Sequence, residues 1–268
     1  MAEAVPEADI QRAVLRFQGF EALAPTSFSD RVTAGLFLPV IINFGDRWQI
    51  ASGGVSPSGF DSFTAGLIDR YTDITAAGRP ACLQINLTPF GARALFDRPL
   101  HQLACSVADL SDLLGPEAHD LADQFANQRD WRSRLTLADT FVRKRLQTAQ
   151  LPDRRTVAAW RMMHMTGGTM RIALIAERLD MSREHLSRLF REQIGHSPKA
   201  VSRIIRFQRA TRLAPDLSYD WAAVAHETGY ADQAHLVREF GRMSGITPAK
   251  WAASHSFNTP DQHREKVG

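Results

Sequence analysis

The strongest constraint on the fold of this 268-residue chain is that its C-terminal portion repeats itself. At an offset of 50, Ser182/Asp232, Leu186/Leu236, Arg188/Arg238, Phe190/Phe240, Gly195/Gly245 and Pro198/Pro248 coincide, while Ala176/Ala225 coincide at 49, so the second copy has one residue added in its turn. Each copy predicts a helix-turn-helix. A small residue, Ala176 or Ala225, lets a second helix cross closely; a tight turn follows; then Ser182 or Asp232 supplies an oxygen that caps the exposed N–H groups of the next helix. Leu186 and Phe190, or Leu236 and Phe240, stand four apart and bury one face of that helix. The other face is left to Arg183, Glu184, Ser187 and Arg188 in the first copy and to Gln233, Ala234, His235 and Arg238 in the second. Such a helix fits the major groove of B-DNA, roughly 12 Å wide, with its N-terminal half toward the base edges. One capped helix pair is ordinary helical packing; two copies with an outward arginine at one register favour DNA.

Charge supports the same reading once it is divided along the chain. The formal charge is +3, but residues 1–153 hold 14 Lys+Arg against 18 Asp+Glu, a balance of −4, and residues 154–250 hold 16 against 9, a balance of +7. A basic portion behind an acidic one suggests a polyanion-binding module joined to something else. Between the copies, Ser197-Pro198 predicts a helix start and Pro215 a stop, giving a linker helix about 25 Å long at 1.5 Å per residue. Ala200, Ile204, Phe207, Ala210 and Ala214 are expected on one side of it. Arg203, Arg206, Arg209 and Arg212 are expected on the other, where the first three are candidate phosphate contacts. A spacer of this length suits two recognition helices near the roughly 34 Å between successive major-groove faces.

The rest divides differently. Residues 35–44, 48–52, 60–67 and 81–87 are short apolar or alternating runs separated by turn-forming clusters at 52–54 and 56–59, which predicts a β-rich sandwich or barrel over 1–105. From 106 to 150 leucines recur at helical intervals, with Ser106 and Asp109 as caps and Gly115-Pro116 as a break between two helices: a helical connector. Residues 155–251 form the all-α DNA-binding portion, and 252–268 a polar tail expected to be disordered. The fold class is thus α+β multidomain, a β-rich N-terminal domain with its connector before an all-α domain of two helix-turn-helix motifs joined by a linker helix.

Residues 155–251 resemble the DNA-binding domain of AraC/XylS-family transcription regulators. The motifs that carry this are Ser182-x3-Leu186-x-Arg188-x-Phe190 with Gly195-x-Ser197-Pro198, and the more discriminating Gly229-Tyr230-x-Asp232-x2-His235-Leu236-x-Arg238-x-Phe240 with Gly245-x-Thr247-Pro248. The resemblance implies a seven-helix unit with two recognition helices in adjacent grooves of one DNA face. It implies that Ser182 and Arg183 bind DNA at the first helix start, that Glu184, Ser187 and Arg188 approach bases in one groove, and that Gln233, Ala234, His235 and Arg238 do so in the other. Arg188 and Arg238 suit bidentate contacts to guanine, Gln233 suits adenine, and Ala234 a thymine methyl. Three residues depart from the family pattern: Asp180 stands at a turn position usually glycine, Val201 replaces an aromatic, and Glu184 either accepts from cytosine or repels phosphate. Residues 84–96, leading through Ala108-Asp109-Leu110, are similar to a β-rich domain that precedes this unit in other members. Such domains are expected to bind a small effector or mediate dimerisation, with RNA polymerase a further expected partner. Trp48, Phe60, Phe63, Tyr71 and Phe90 either line an effector pocket or form core.

Other classes find less support. The longest apolar run falls short of the roughly 20 residues of a membrane span, and no basic leader precedes it, so a cytoplasmic protein is expected. His226-Glu227 has Tyr230 where a second zinc ligand would stand, and no metal or cofactor is expected. The competing enzyme reading is a repair-like protein using a reactive thiol, Cys82 or Cys105, with His101 as the nearby base.

Overall fold

The computed structural model describes residues 2–52, 58–213 and 220–255. Its strands form two antiparallel sheets. One runs β1 (Ala2–Ala4), β2 (Val14–Glu21), β9 (Ala81–Leu87), β4 (Leu38–Asn43), β7 (Phe63–Ala65), β10 (Val107–Asp109); the other runs β3 (Thr26–Val32), β8 (Thr72–Gly78), β5 (Trp48–Ser52), β6 (Ser58–Phe60). Strand alternation assigns side chains to two cores. From β4 and β9, Ile41 and Cys82 face the second sheet, where Trp48, Ile50, Phe63 and Ala76 meet Phe20, Phe28 and Phe60. Leu38, Val40, Ile42, Leu83, Ile85 and Leu87 face the other way, toward helices. Coverage on both faces explains why these two strands are nearly continuous apolar runs. Trp48 buries its ring and donates its Nε1–H to Asn43 Oδ1 at 3.1 Å, so the indole carries no unpaired polar atom inward.

The strands expected at 35–44, 48–52, 60–67 and 81–87 correspond to β4, β5, β7 and β9. The exposed, polar β3 and the mixed β8 escape a reading based on apolar runs. Of the turn clusters expected at 52–54 and 56–59, Ser52 ends β5 and Ser58-Gly59 pair as part of β6, while 53–57 lie outside the described residues.

Helices cover the outer face of the larger sheet. Thr88 caps α1 (Pro89–Phe96) by accepting from Gly91 N–H at 3.0 Å. After a 3-10 turn, Leu100–Gln102, residues 107–109 pair with β7 as strand β10, which corrects the expectation that the helical connector begins at 106. Ser106 is not a helix cap, since its Oγ donates to Leu103 O, and Asp109 precedes α2 (Leu110–Leu114) without a side-chain capping bond. Gly115-Pro116 separates α2 from α3 (Glu117–Ala126) as expected. Asp130 caps α4 (Trp131–Gln147), which Arg134 ties to the sheet: its guanidinium lies over the rings of Phe44 and Trp131 and donates to Phe125 O and Glu21.

Seven helices follow among the described residues: α5 (Arg154–Met165), α6 (Ile172–Arg178), α7 (Arg183–Gln193), α8 (Pro198–Leu213), α9 (Trp221–Glu227), α10 (Gln233–Ser244) and α11 (Pro248–His255). Ala252, expected to begin a polar tail, is buried in α11, which runs to His255; residues 256–268 lie outside the described residues. Ala214 and Pro215, expected at the end of the linker helix, also lie outside them. One apolar cluster continues from the sheet through Leu95, Leu100 and Leu103 into Phe190, Ile194, Phe207 and Phe240, so the two portions share a core.

Candidate nucleic-acid interface

The repeat in sequence is a repeat in hydrogen bonds. In the first copy α6 ends where Met181 N–H donates to Ala176 O at 3.0 Å; in the second α9 ends where Tyr230 N–H donates to Ala225 O at 2.8 Å. The residue preceding each donor has left-handed backbone, Asp180 at φ 50° and Gly229 at φ 77°. Aspartate tolerates this conformation better than most residues, which is how the first copy keeps the turn without glycine. Ser182 Oγ then accepts from His185 N–H at 3.0 Å, and Asp232 Oδ1 from His235 N–H at 2.6 Å. Leu186, Phe190, Leu236 and Phe240 are fully buried, and Phe240 meets Phe207 and Trp251 edge-on.

The opposite faces are exposed. Ser182, Arg183, Glu184 and Arg188 stand in solvent on α7, and Gln233, Ala234 and Arg238 on α10, while Ser187 is half-buried. His235 differs from expectation: it is half-buried, accepts from Ala231 N–H through Nδ1 at 3.4 Å and lies edge-on to Tyr230. Arg188 is 3.7 Å from Glu192 and 3.4 Å from His185 Nδ1, both on its own helix, whereas Arg238 has no ion pair among the described residues. Glu184 is held below the usual carboxylate range by hydrogen bonds from its own backbone N–H and from Ser182, so it presents a full negative charge. Two residues were missed. Arg191 is exposed three residues after Arg188, a spacing that places both on one face, and Val237 joins Asp232, Gln233, Ala234 and Arg238 around a shallow depression.

The linker helix departs from expectation. Arg203 pairs bidentately with Glu239, at 2.6 and 3.0 Å, with both side chains largely buried. Burial works to raise the Glu239 carboxyl, but Arg203 and the neighbouring cations outweigh it and hold it low. Arg206 lies over the Tyr230 ring at 5.4 Å with its Nε buried, and Arg209 packs against Gly167. All three are half-buried. Three of the four arginines expected on a free basic face instead lie in a seam joining α8 to its neighbours, while Arg212 is exposed.

The N-terminal aromatics do not share one pocket. Trp48, Phe60 and Phe63 fill the core between the sheets, Tyr71 lies under Arg31, and Phe90 meets Trp160 edge-on. Neither thiol is activated. Burial pushes Cys82 up to about 12, and burial together with the Asp69 charge raises Cys105. The histidine that meets Cys105 is His196, with Nε2 3.8 Å from Sγ, not His101, and that nitrogen is 2.7 Å from Leu67 O.

A helix-turn-helix domain family matches residues 175–254, which contain both capped repeats. These residues are a DNA-binding domain of the AraC type. The AraC-type domain has homologues among bacterial transcriptional regulators. The chain is 27% identical over 232 residues to the HTH-type transcriptional regulator GlxA of Rhizobium meliloti, covering 84% of this chain and 70% of that protein. It is 26% identical over 123 residues to the RCS-specific HTH-type transcriptional activator RclR of Escherichia coli, covering 46% and 42%, and 29% identical over 90 residues to the arabinose operon regulatory protein of that organism, covering 34% and 31%. Among solved structures, ToxT from Vibrio cholerae O395 aligns with a TM-score of 0.46 at 11% identity, over 88% of this chain and 97% of that one. Among the described residues no helix is long and apolar enough to cross a membrane.

Proposed function

We propose that the chain regulates transcription in the cytoplasm by binding double-stranded DNA sequence-specifically, with α7 and α10 each entering a major groove. The observation that carries this is the duplicated unit: two helices capped alike, buried alike and carrying an outward arginine at one register, in the basic portion of the chain. Arg188 and Arg238 read guanine through paired N–H donors, Gln233 reads adenine, Ala234 packs on a thymine methyl, and Ser182, Arg183, Glu184 and Ser187 approach the duplex beside them. His235 acts mainly by bracing the turn. Arg203, Arg206 and Arg209 hold the linker helix in place, so phosphate contacts fall to exposed cations such as Arg183 and Arg191. The N-terminal β domain takes the sensing or pairing role, through a small effector or a second copy, and RNA polymerase is the further partner.

The test is selection of bound duplexes from a random library, then fluorescence anisotropy on the selected site. Affinity falls steeply with salt, because Lys and Arg displace condensed counterions. Salt-insensitive binding sinks the mechanism.

A further inference from the structure

The N-terminal domain reaches the C-terminal ends of both recognition helices at positions the repeat makes equivalent. At the end of α7, Gly195 packs on Leu100, and the next residue, His196, places Nε2 2.7 Å from Leu67 O. At the end of α10, Gly245 packs on Arg31 and Tyr71, Ala34 N–H donates to Met243 O at 3.0 Å, and Arg31 reaches Gly245 O at 3.5 Å. Arg242 pairs with Asp69 at 2.7 Å, and Arg31 is itself fixed by a bidentate pair with Asp73 at 2.6 and 3.0 Å. The carbonyls of Met243 and Gly245 at the end of α10 find their partners outside the helix, in the β domain.

One short segment is common to these contacts. Residues 67–73, from the loop after β7 into the first two residues of β8, supply Leu67 O to the first copy, Asp69 to the second, and Asp73 to the arginine that reaches the second. Seven residues span at most about 25 Å even when fully extended, so the contacts to both copies lie on one short strut. Within the DNA-binding domain the spacing of the two copies is also set from α8, through the Arg203–Glu239 pair. The two supports act on different parts of the copies.

We propose that residues 67–73 are a gauge for the distance and phase between the two recognition helices, with Asp69 and His196 as positioning residues that restrict the spacing between the two DNA subsites the protein accepts. This rests on the groove-reading by α7 and α10 proposed above. It makes the β domain part of DNA specificity without touching DNA, and any event that moves this segment changes which sites are bound.

The experiment uses the full chain and the selected duplex, remade with the spacing between its two subsites changed by one or two base pairs in either direction. The parent should show a sharp optimum. Asp69→Asn and His196→Ala should flatten it, lowering the ratio of affinities between the best spacing and its neighbours about fivefold. His196→Gln, which keeps a side-chain donor, should restore most of the selectivity. Arg242→Gln tests the same contact from the other side and serves if Asp69→Asn does not fold. A purely structural role would weaken every spacing by one factor and leave the profile unchanged, and that result overturns the proposal. Failure of the parent to bind any selected duplex would overturn the groove-reading itself, and this inference with it.

Discussion

The two helix-turn-helix copies are one backbone solution reached with different side chains. Both close the turn with the same five-residue-back hydrogen bond, cap the second helix on a backbone N–H of a histidine, and bury a leucine and a phenylalanine one turn apart. Yet Asp180 stands where the second copy has Gly229, Arg188 is tied to Glu192 while Arg238 is open, and His185 is near Arg188 while His235 supports its own turn. Burial and backbone geometry tolerate few alternatives at the shared positions, whereas the outward positions are free to differ. The scaffold repeats and the read-out does not, so the two copies are expected to recognise different base sequences.

The largest effects should strike the shared scaffold. Phe190→Ala and Phe240→Ala each remove a fully buried ring and should cost about 3–5 kcal/mol in denaturant unfolding. If one is tolerated and the other is not, the copies do not share a common packing logic.

Next is a difference between the helices that lead into each copy. α5 carries His164, half-buried against Trp160 with its Nε2 out of solvent, whereas α8 contains no histidine. Burial, and after it the charge of Arg212, push His164 down to about 4 from 6.5. The unfolded chain therefore binds this proton more tightly than the folded one. The folded state is favoured in full above pH 6.5 and loses up to about 3 kcal/mol as pH falls toward 4. A His164→Leu variant should lack that slope in thermal melts between pH 7 and 4; an unchanged slope would place the titration elsewhere.

The read-out should show the asymmetry on a smaller scale. Arg188→Ala and Arg238→Ala should each weaken the selected site by about 1–3 kcal/mol while sparing non-specific binding. Arg238 should be the more costly, since Arg188 must first leave Glu192. Equal binding by both variants and the parent in anisotropy would refute the assignments.

The smallest effects belong to the turn. Asp180→Gly should stabilise by about 0.5 kcal/mol by relieving left-handed backbone. Gly229→Ala should destabilise by about 1 kcal/mol or more, since a side chain there is strained and also meets Thr169. Opposite signs in matched melts support the equivalence of the two positions.

How much of this was legible depends on the range of the interaction. Ser182 and Asp232 are readable as caps because a cap bonds three residues away, and Leu186 and Phe190 as buried because helical periodicity is local. The partner of Arg203 is 36 residues distant, so the linker helix read as amphipathic with a basic outer face when most of that face is a packed seam. In the N-terminal portion, β4 and β9 announced themselves because burial on both faces makes them mostly apolar. β3 and β8 did not, because a strand half in water needs only a few apolar residues.

The sequence by itself determined the duplication, its register, the caps and the outward arginines, all consequences of spacing within a single turn or helix. Tertiary structure alone decided which arginines are free, since that depends on carboxylates and rings brought from elsewhere. It alone also set the ends of both recognition helices against one strut of the β domain, because contacts such as Leu67 with His196 join residues 129 positions apart, and no local pattern encodes a pairing at that separation.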